Sequence, residues 1–410
     1  MLRVRHRVAH APIGAAPPSP LWGTMPPINI GLTFAGPPRS PESWSGIPAA
    51  LTSALESMGL SVAAIDARMP LGSDRLVQGA LGLPILMHPT GPLTFREARA
   101  IASVSTGIAV ARTLSLLLRA PSLARLDGIV QLGSAYWLPS RATPYVTYED
   151  MTVQQAVRTG YSRLSLLPEA SLRRRVEFQR HMYRRARGCC FTSGWAAASA
   201  IQDYGIDRRK VHVVGVGANH LVVTNGREWY PPRFLFIGQD WHRKGGDAVV
   251  RAFKRVQREH AGAQLDLVGA APPIVADGIT VHGVLALGDP RARQRLGCLL
   301  RRATCFVMPS RHEPSALAYV EAAHAGLPSI VSKAGGSEEL VGRGGIGVEP
   351  NDDAALLAAM LVLSDPAVAC HMGATARVHA ERFTWEAVGA RLVRALDPAY
   401  AVRRGLAHFL

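Results

Sequence analysis

The stretch CFVMPSRHEPSALAYVEAAHAG, residues 305–326, carries the alternation on which the whole chain is built. Cys305–Met308 is a short apolar run, read as a buried strand, and Pro309-Ser310 stops it. Glu313-Pro314 reads as the start of a helix running to Ala325, since Pro suits a first helical position. Gly326 and Pro328 close that helix. Two carboxylates then fall on one unit, Glu313 at its lip and Glu321 inside. At ~1.5 Å of rise per residue they stand about 12 Å apart along the axis. The backbone N–H groups of a helix N-terminus lie between them, a setting that favours an anion.

The same strand–helix alternation extends in both directions. On the near side it runs through RFLFIG (233–238), a helix over 246–260, LDLVG (265–269), ITVHGV (279–284), and a helix over 289–302. Beyond the quoted stretch come SIVSK (329–333), IGVEP (346–350), and helices over 353–364 and in FTWEAVGARLVRAL. Further back, INIGLTF (28–34), SVAAIDA (61–67), GIVQLG (128–133), PYVTYED (144–150), CCFTSG (189–194) and KVHVVGVG (210–217) read as strands, with helical patterns over 48–58 and 94–120. Residues 218–231 form the linker. Strands alternating with helices imply parallel sheets, so the chain reads as α/β with two Rossmann-like domains facing each other across a cleft. The expected bounds are 25–220 and 232–385, with 386–410 a C-terminal helix returning to the N-terminal domain. Residues 1–24 are basic and Pro-rich and read as disordered.

With 410 residues, 48% of them hydrophobic, the chain can bury two cores. No apolar run reaches the ~20 residues of a membrane span; the nearest, Ala100 to Ala111, reads as a buried helix. Five cysteines without a C-x-x-C pair suggest a reduced, cytoplasmic chain. The net charge is +16, and Lys210, Lys244, Lys254 and Lys333 are the only lysines among 46 basic residues. Such a surface attracts anionic lipid or phosphorylated substrates. No aromatic–basic interleaving supports nucleic acid as the partner.

In GQDWHRKGGD, Lys244 is therefore a selected residue type. An ammonium ahead of Gly245 at a helix start can reach a diphosphate. The quoted stretch resembles the E-x7-E motif of family 4 retaining glycosyltransferases, with Pro309-Ser310, Glu313-Pro314, Glu321 and Gly326-Leu327-Pro328 in register and Ser315-Ala316 where the family has Phe-Gly. Gly238 to Lys244-Gly245 resembles that family's G-R-x4-K-G loop, with Gln239 where the family has Arg and Arg243 as a substitute cation. Gly335-Gly336 in SKAGGSEELV resembles its GG turn. Glu149-Asp150 stands where the family has His-Asp, with no His, and reads otherwise as a carboxylate pair capping the next helix.

The resemblance implies the GT-B fold and a metal-independent transferase that uses a nucleotide-diphosphate sugar with retention. It needs no cofactor. It assigns Glu321 to the ribose and Glu313 to the donor sugar. Lys244, with the N–H groups of Ser315 and Ala316, holds the diphosphate. Gly46 approaches from the N-terminal side, beside Glu149 and Asp150. The acceptor is a glycan or lipid-linked sugar. The competing readings are a GT-B epimerase or hydrolase and a non-catalytic nucleotide-sugar-binding protein. Residues 171–188, carrying seven arginines against Glu177, read as a basic helix with Leu172, Val176, Met182 and Tyr183 on its apolar side. They are the candidate for peripheral contact with an anionic membrane at its inner face.

Overall fold

The computed structural model describes residues 28–403 and 406, apart from 71–72, 89–90, 140–142, 162 and 223–225. The disorder expected for 1–24 lies outside the described residues.

The N-terminal sheet is formed by β1 (Asn29–Phe34), β2 (Ser61–Asp66), β5 (Gly128–Leu132), β6 (Tyr145–Glu149), β7 (Gly188–Phe191) and β8 (Val211–Val213), with a small hairpin of β3 (Met87–His88) and β4 (Gly91–Pro92) set apart. Its order is β2-β1-β5-β6-β7-β8, and every pairing is parallel. β5, β6 and β7 are buried at every position, as strands covered on both faces by helices must be. The C-terminal sheet repeats the plan with β9 (Arg233–Gly238), β10 (Gln264–Gly269), β11 (Ile279–Gly283), β12 (Cys305–Met308), β13 (Ser329–Ser332) and β14 (Gly345–Val348). Its order is β11-β10-β9-β12-β13-β14, again wholly parallel. The strand order reverses between β9 and β12. Beyond the carboxyl ends of such strands the polypeptide leaves a crevice, the usual seat of a ligand in an open α/β sheet.

Several local expectations are corrected. The helix after β12 spans Leu317–His324 and begins later than Pro314. Glu313 is held in extended backbone instead, its N–H donating to Ala334 O at 2.9 Å and its carbonyl accepting from Gly336 N at 3.1 Å. Gly335 permits this approach, at φ 127° with its missing Cβ position 2.0 Å from Glu313 O. Because Glu313 is outside the helix, the 12 Å axial spacing does not apply to it. The apolar run 100–111 is not one helix: Phe95–Ala102 ends and Thr106–Leu117 starts afresh, its first turn capped by Ser105. Strand β8 stops at Val213, short of the expected 217. A helix over Pro366–Ala380, which the sequence reading left unassigned, is started by Asp365, whose side chain accepts from the N–H groups of Ala367 and Val368.

The last long helix, Trp385–Leu396, leaves the C-terminal domain and packs on the helix Ile47–Ser57 and on β5, β6 and β7. Leu396 fills the space beside Gly128, where a Cβ would lie 2.4 Å from its side chain.

Candidate functional site

A cavity of about 650 Å3 opens between the two sheets. The C-terminal domain contributes Gly238, Gln239, Arg243, Lys244, Glu313, Ser315, Ala316 and Glu321 to its wall; the N-terminal domain contributes Trp44, Ser45, Asp150 and Tyr161. Residues from β9, the β9 loop, β12 and the helix Leu317–His324 thus meet at the point where strand order reverses.

Glu313 is buried, 4% exposed, and three groups converge on its Oε2. The Lys244 ammonium donates to it, Arg243 Nη1 lies at 3.3 Å, and Ser310 Oγ donates at 3.2 Å. Burial lowers the Lys244 pKa, and the Glu313 charge works against that. Arg243 also lies over the Tyr161 ring at 4.9 Å, and His312 meets the same ring edge-on at 5.3 Å. A cation pair and a carboxylate are therefore held together at the cavity wall. The helix Leu317–His324 begins at the cavity wall without a side-chain cap, its Tyr319 N–H donating back to Ala316 O at 3.2 Å.

Glu321 lies within the helix Leu317–His324, 6% exposed. Its Oε1 accepts from the backbone N–H groups of Asn219 and His220, both at 3.2 Å. Burial pushes its carboxyl up to about 7, and those two N–H groups oppose the rise. Asp150 faces the cavity from the opposite domain. Burial pushes it up to about 6; the Glu313 charge adds to this, and a bond from the Trp44 side chain opposes it.

The structure separates residues that the sequence reading grouped. Glu149 points into the N-terminal domain, away from the cavity, where Tyr183 Oη donates to it and Gln179 Nε2 donates at 3.0 Å. Burial pushes Glu149 up to about 7. Neither it nor Asp150 caps the following helix; Thr152 does, paired with Gln155 in a capping box. Gly335 and Gly336 support the Glu313–Pro314 backbone and do not line the cavity. Gly245 starts its helix at φ 80°, packs on Pro309, and borders a separate hollow behind the β9 loop. Gly46 also lies off the wall. It ends a left-handed turn in which Trp44 and Ser45 have φ of 42° and 56°, and a Cβ on Gly46 would come within 2.9 Å of Asn219 Nδ2. Arg175, counted on the solvent face of the basic helix, is buried and donates to Ser134 O at 2.6 Å.

Sequence reasoning missed Trp44, Tyr161 and Asn219, because each acts through tertiary placement and none stands in a spaced motif. Glu339, in SKAGGSEELV, was missed for the same reason. The Glu339 carboxylate crosses between domains and accepts from Gly194 N at 2.6 Å and Trp195 N at 2.9 Å, at the start of the helix Gly194–Gln202. Among the described residues no three His, Cys, Asp or Glu side chains gather as a metal site.

Residues 231–365 match the family described as "Glycosyl transferases group 1". The chain is 34% identical over 172 residues to a "Glycogen synthase" of Mycobacterium tuberculosis, covering 38% of this chain and 40% of the relative. It is 28% identical over 241 residues to an "MMP alpha-(1->4)-mannosyltransferase" of Mycolicibacterium hassiacum, covering 55% and 57%. The chain thus spans well under two thirds of these curated relatives. Among solved structures, a sucrose-phosphate synthase from Thermosynechococcus elongatus superposes with TM-score 0.64 at 18% identity over 92% of this chain and 100% of that one. WaaG, a glycosyltransferase involved in lipopolysaccharide biosynthesis, does so with TM-score 0.60 at 14% identity over 90% and 99%. The fold is GT-B: two Rossmann-like domains about a cleft.

Proposed function

We propose that this chain is a retaining glycosyltransferase that moves a sugar from a nucleoside-diphosphate sugar to an acceptor hydroxyl, in polysaccharide or glycoconjugate synthesis. The observation that carries the reading is the meeting of Lys244, Arg243, Glu313 and Glu321 on one cavity wall, within the segment that matches the group 1 family. Glu321 accepts the ribose hydroxyls. The uncapped helix start and the two cations take the diphosphate, which draws Lys244 from Glu313 and leaves that carboxylate to the donor sugar. As the anomeric carbon–phosphate bond breaks, the acceptor oxygen bonds to the same face of that carbon, and the departing phosphate oxygen takes the acceptor proton. Lys244 stabilises the charge that grows on the leaving group. Asp150 faces the acceptor side.

Purified protein heated with UDP, ADP or GDP tests the donor. One of them at a hundredfold excess over its Kd is expected to add about 2.7 kcal/mol to stability, a Tm rise of a few degrees. No rise with any of the three overturns the reading. Sugar release at equal rates with and without acceptor would make the protein a hydrolase or epimerase; binding without any turnover would make it a binding protein. Turnover is expected to persist in EDTA, since the cations at the diphosphate are side chains. Loss in EDTA with rescue by magnesium or manganese would contradict that.

We further propose that the enzyme works at the inner face of an anionic membrane. The helix Glu169–Arg185 exposes Arg173, Arg174, Arg184 and Arg185, of which Arg173 is paired with Glu169, while Arg180 is paired with Glu177 and Arg175 is buried. Its neighbour, the helix Thr106–Leu117, exposes Val110, Leu114 and Leu117, followed by Leu118. Each basic residue near such a leaflet contributes about 1 kcal/mol, screened by salt. Co-sedimentation is expected with anionic liposomes, fading as salt rises, and absent with neutral ones. Equal binding to both lipids, or to neither, removes the proposal.

A further inference from the structure

Asn219 makes hydrogen bonds to three parts of the molecule. Its backbone N–H donates to Glu321 Oε1 at 3.2 Å. Its side-chain Nδ2 donates to Ser45 O at 2.7 Å, and its Oδ1 accepts from Trp385 Nε1 at 2.8 Å. Asn219 therefore touches the carboxylate on one wall of the cavity, the turn on the other wall, and the helix that returns to the N-terminal domain. It sits at the start of the segment joining the two domains.

The turn it holds is a costly one. Trp44 and Ser45 are non-glycine residues with left-handed backbone, and Trp44 is bulky. Such residues persist only where the surroundings over-determine them, and they cluster where a protein grips a ligand. Here the surroundings are the Asn219 amide on the Ser45 carbonyl and the Trp44 ring stacked on Phe34 at 6.1 Å between centroids. Trp44 in turn bonds Asp150, the N-terminal carboxylate at the cavity.

We propose that Asn219 is a positioning residue that couples nucleotide occupancy at Glu321 to the Trp44–Gly46 turn, and so to the acceptor side of the cleft. The coupling rests on the donor assignment above, but the part that holds the turn does not. A ligand hydroxyl donating to Glu321 fixes its carboxylate in the ionised form. That strengthens its bonds to the Asn219 and His220 N–H groups and draws the joining segment tight. The side chain of the same residue then holds the Ser45 carbonyl, and with it the Trp44 ring, in place.

The test uses the full-length protein and the variants Asn219→Ala, Trp385→Phe and Trp44→Phe. Amide exchange of the peptide covering 43–47, without nucleotide, should be about tenfold faster in Asn219→Ala, as expected for loss of one hydrogen bond. Unchanged exchange overturns the proposal whether or not any nucleotide binds. UDP, ADP and GDP are then titrated by calorimetry and by tryptophan fluorescence. In the wild type the best binder should change the emission, and Trp44→Phe should abolish that change. Asn219→Ala should keep nucleotide affinity within about threefold while losing the Trp44 response. A preserved response per bound nucleotide overturns the coupling. If Asn219→Ala fails to fold or bind, Trp385→Phe decides by the same two readings, since it removes the donor to Asn219 Oδ1 outside the nucleotide site. Failure of the wild type to bind any of the three nucleotides rejects the donor assignment and, with it, the coupling.

Discussion

Lys244→Ala is expected to lower turnover by two to three orders of magnitude, about 3–4 kcal/mol of transition-state stabilisation, the scale seen when one preorganised charge-stabilising donor is removed. The size follows from where the ammonium sits. Its side chain is 12% exposed, so solvent does little to screen it, and its partner Glu313 is 4% exposed. The fold should survive, because Arg243 and Ser310 still hold Glu313. Nucleotide affinity should fall much less than turnover, because the helix start and Arg243 remain. Steady-state kinetics with the donor found by the heating experiment measure both. A variant with wild-type turnover removes Lys244 from the mechanism.

Glu321→Gln should weaken nucleotide binding by about 10- to 100-fold, the effect of losing hydrogen bonds to a charged acceptor. It should also erase a pH dependence. The Glu321 carboxyl is raised from 4.5 to about 7 in the folded protein. A raised carboxyl binds its proton more tightly when folded, so its contribution to stability is complete below about pH 4.5 and is lost as pH climbs through about 7. Ribose hydroxyls donate to the ionised form, so binding expels the proton, and affinity should rise with pH from 6 to 8 in the wild type. Calorimetry in buffers of different ionisation heat counts that proton. Wild-type affinity that is flat over this range, or equal slopes in Glu321→Gln, contradicts the assignment. Glu149 and Asp150, raised to about 7 and about 6, act on stability with the same sign. The Tm of Glu321→Gln should therefore fall less between pH 5 and 8 than that of the wild type, burial of His212, His220, His312 and His324, which lowers their pKa, acting with the opposite sign in both.

Strand positions in the C-terminal domain were legible because β9, β10 and β12 are short apolar runs bounded by Gly, Pro or Ser, and burial on both faces demands that pattern. Lys244, Glu313 and Glu321 were singled out by their resemblance to family motifs, and all three line the cavity because each is tied to a strand end or helix within its own unit. The start of the helix after β12 was not. Pro314 favours a first helical turn, but the Gly335-Gly336 backbone, distant in sequence, pairs with Glu313 and keeps it extended. Glu149 and Asp150 look equivalent as a sequence pair. The side-chain alternation of a strand end sends one into the domain core and the other to the cleft. Asn219 and Glu339 were opaque for a different reason. Both act between domains, and no local pattern encodes what the other domain will place opposite them.

The helix Trp385–Leu396 has a consequence for biosynthesis. Domains generally fold in the order in which they leave the ribosome, N-terminal first. Here the N-terminal sheet is finished at Val213, yet part of its covering layer is the helix at 385–396. While the whole second domain is being translated, Leu55, the Gly128 edge of β5 and the neighbouring faces of β6 and β7 wait without that cover. The first domain to emerge is thus the last to be completed, and a ribosome stalled before residue 385 would display an apolar surface for chaperones to hold. Truncation ahead of Trp385 should therefore yield a chain whose first half aggregates, even though every strand of both sheets is present.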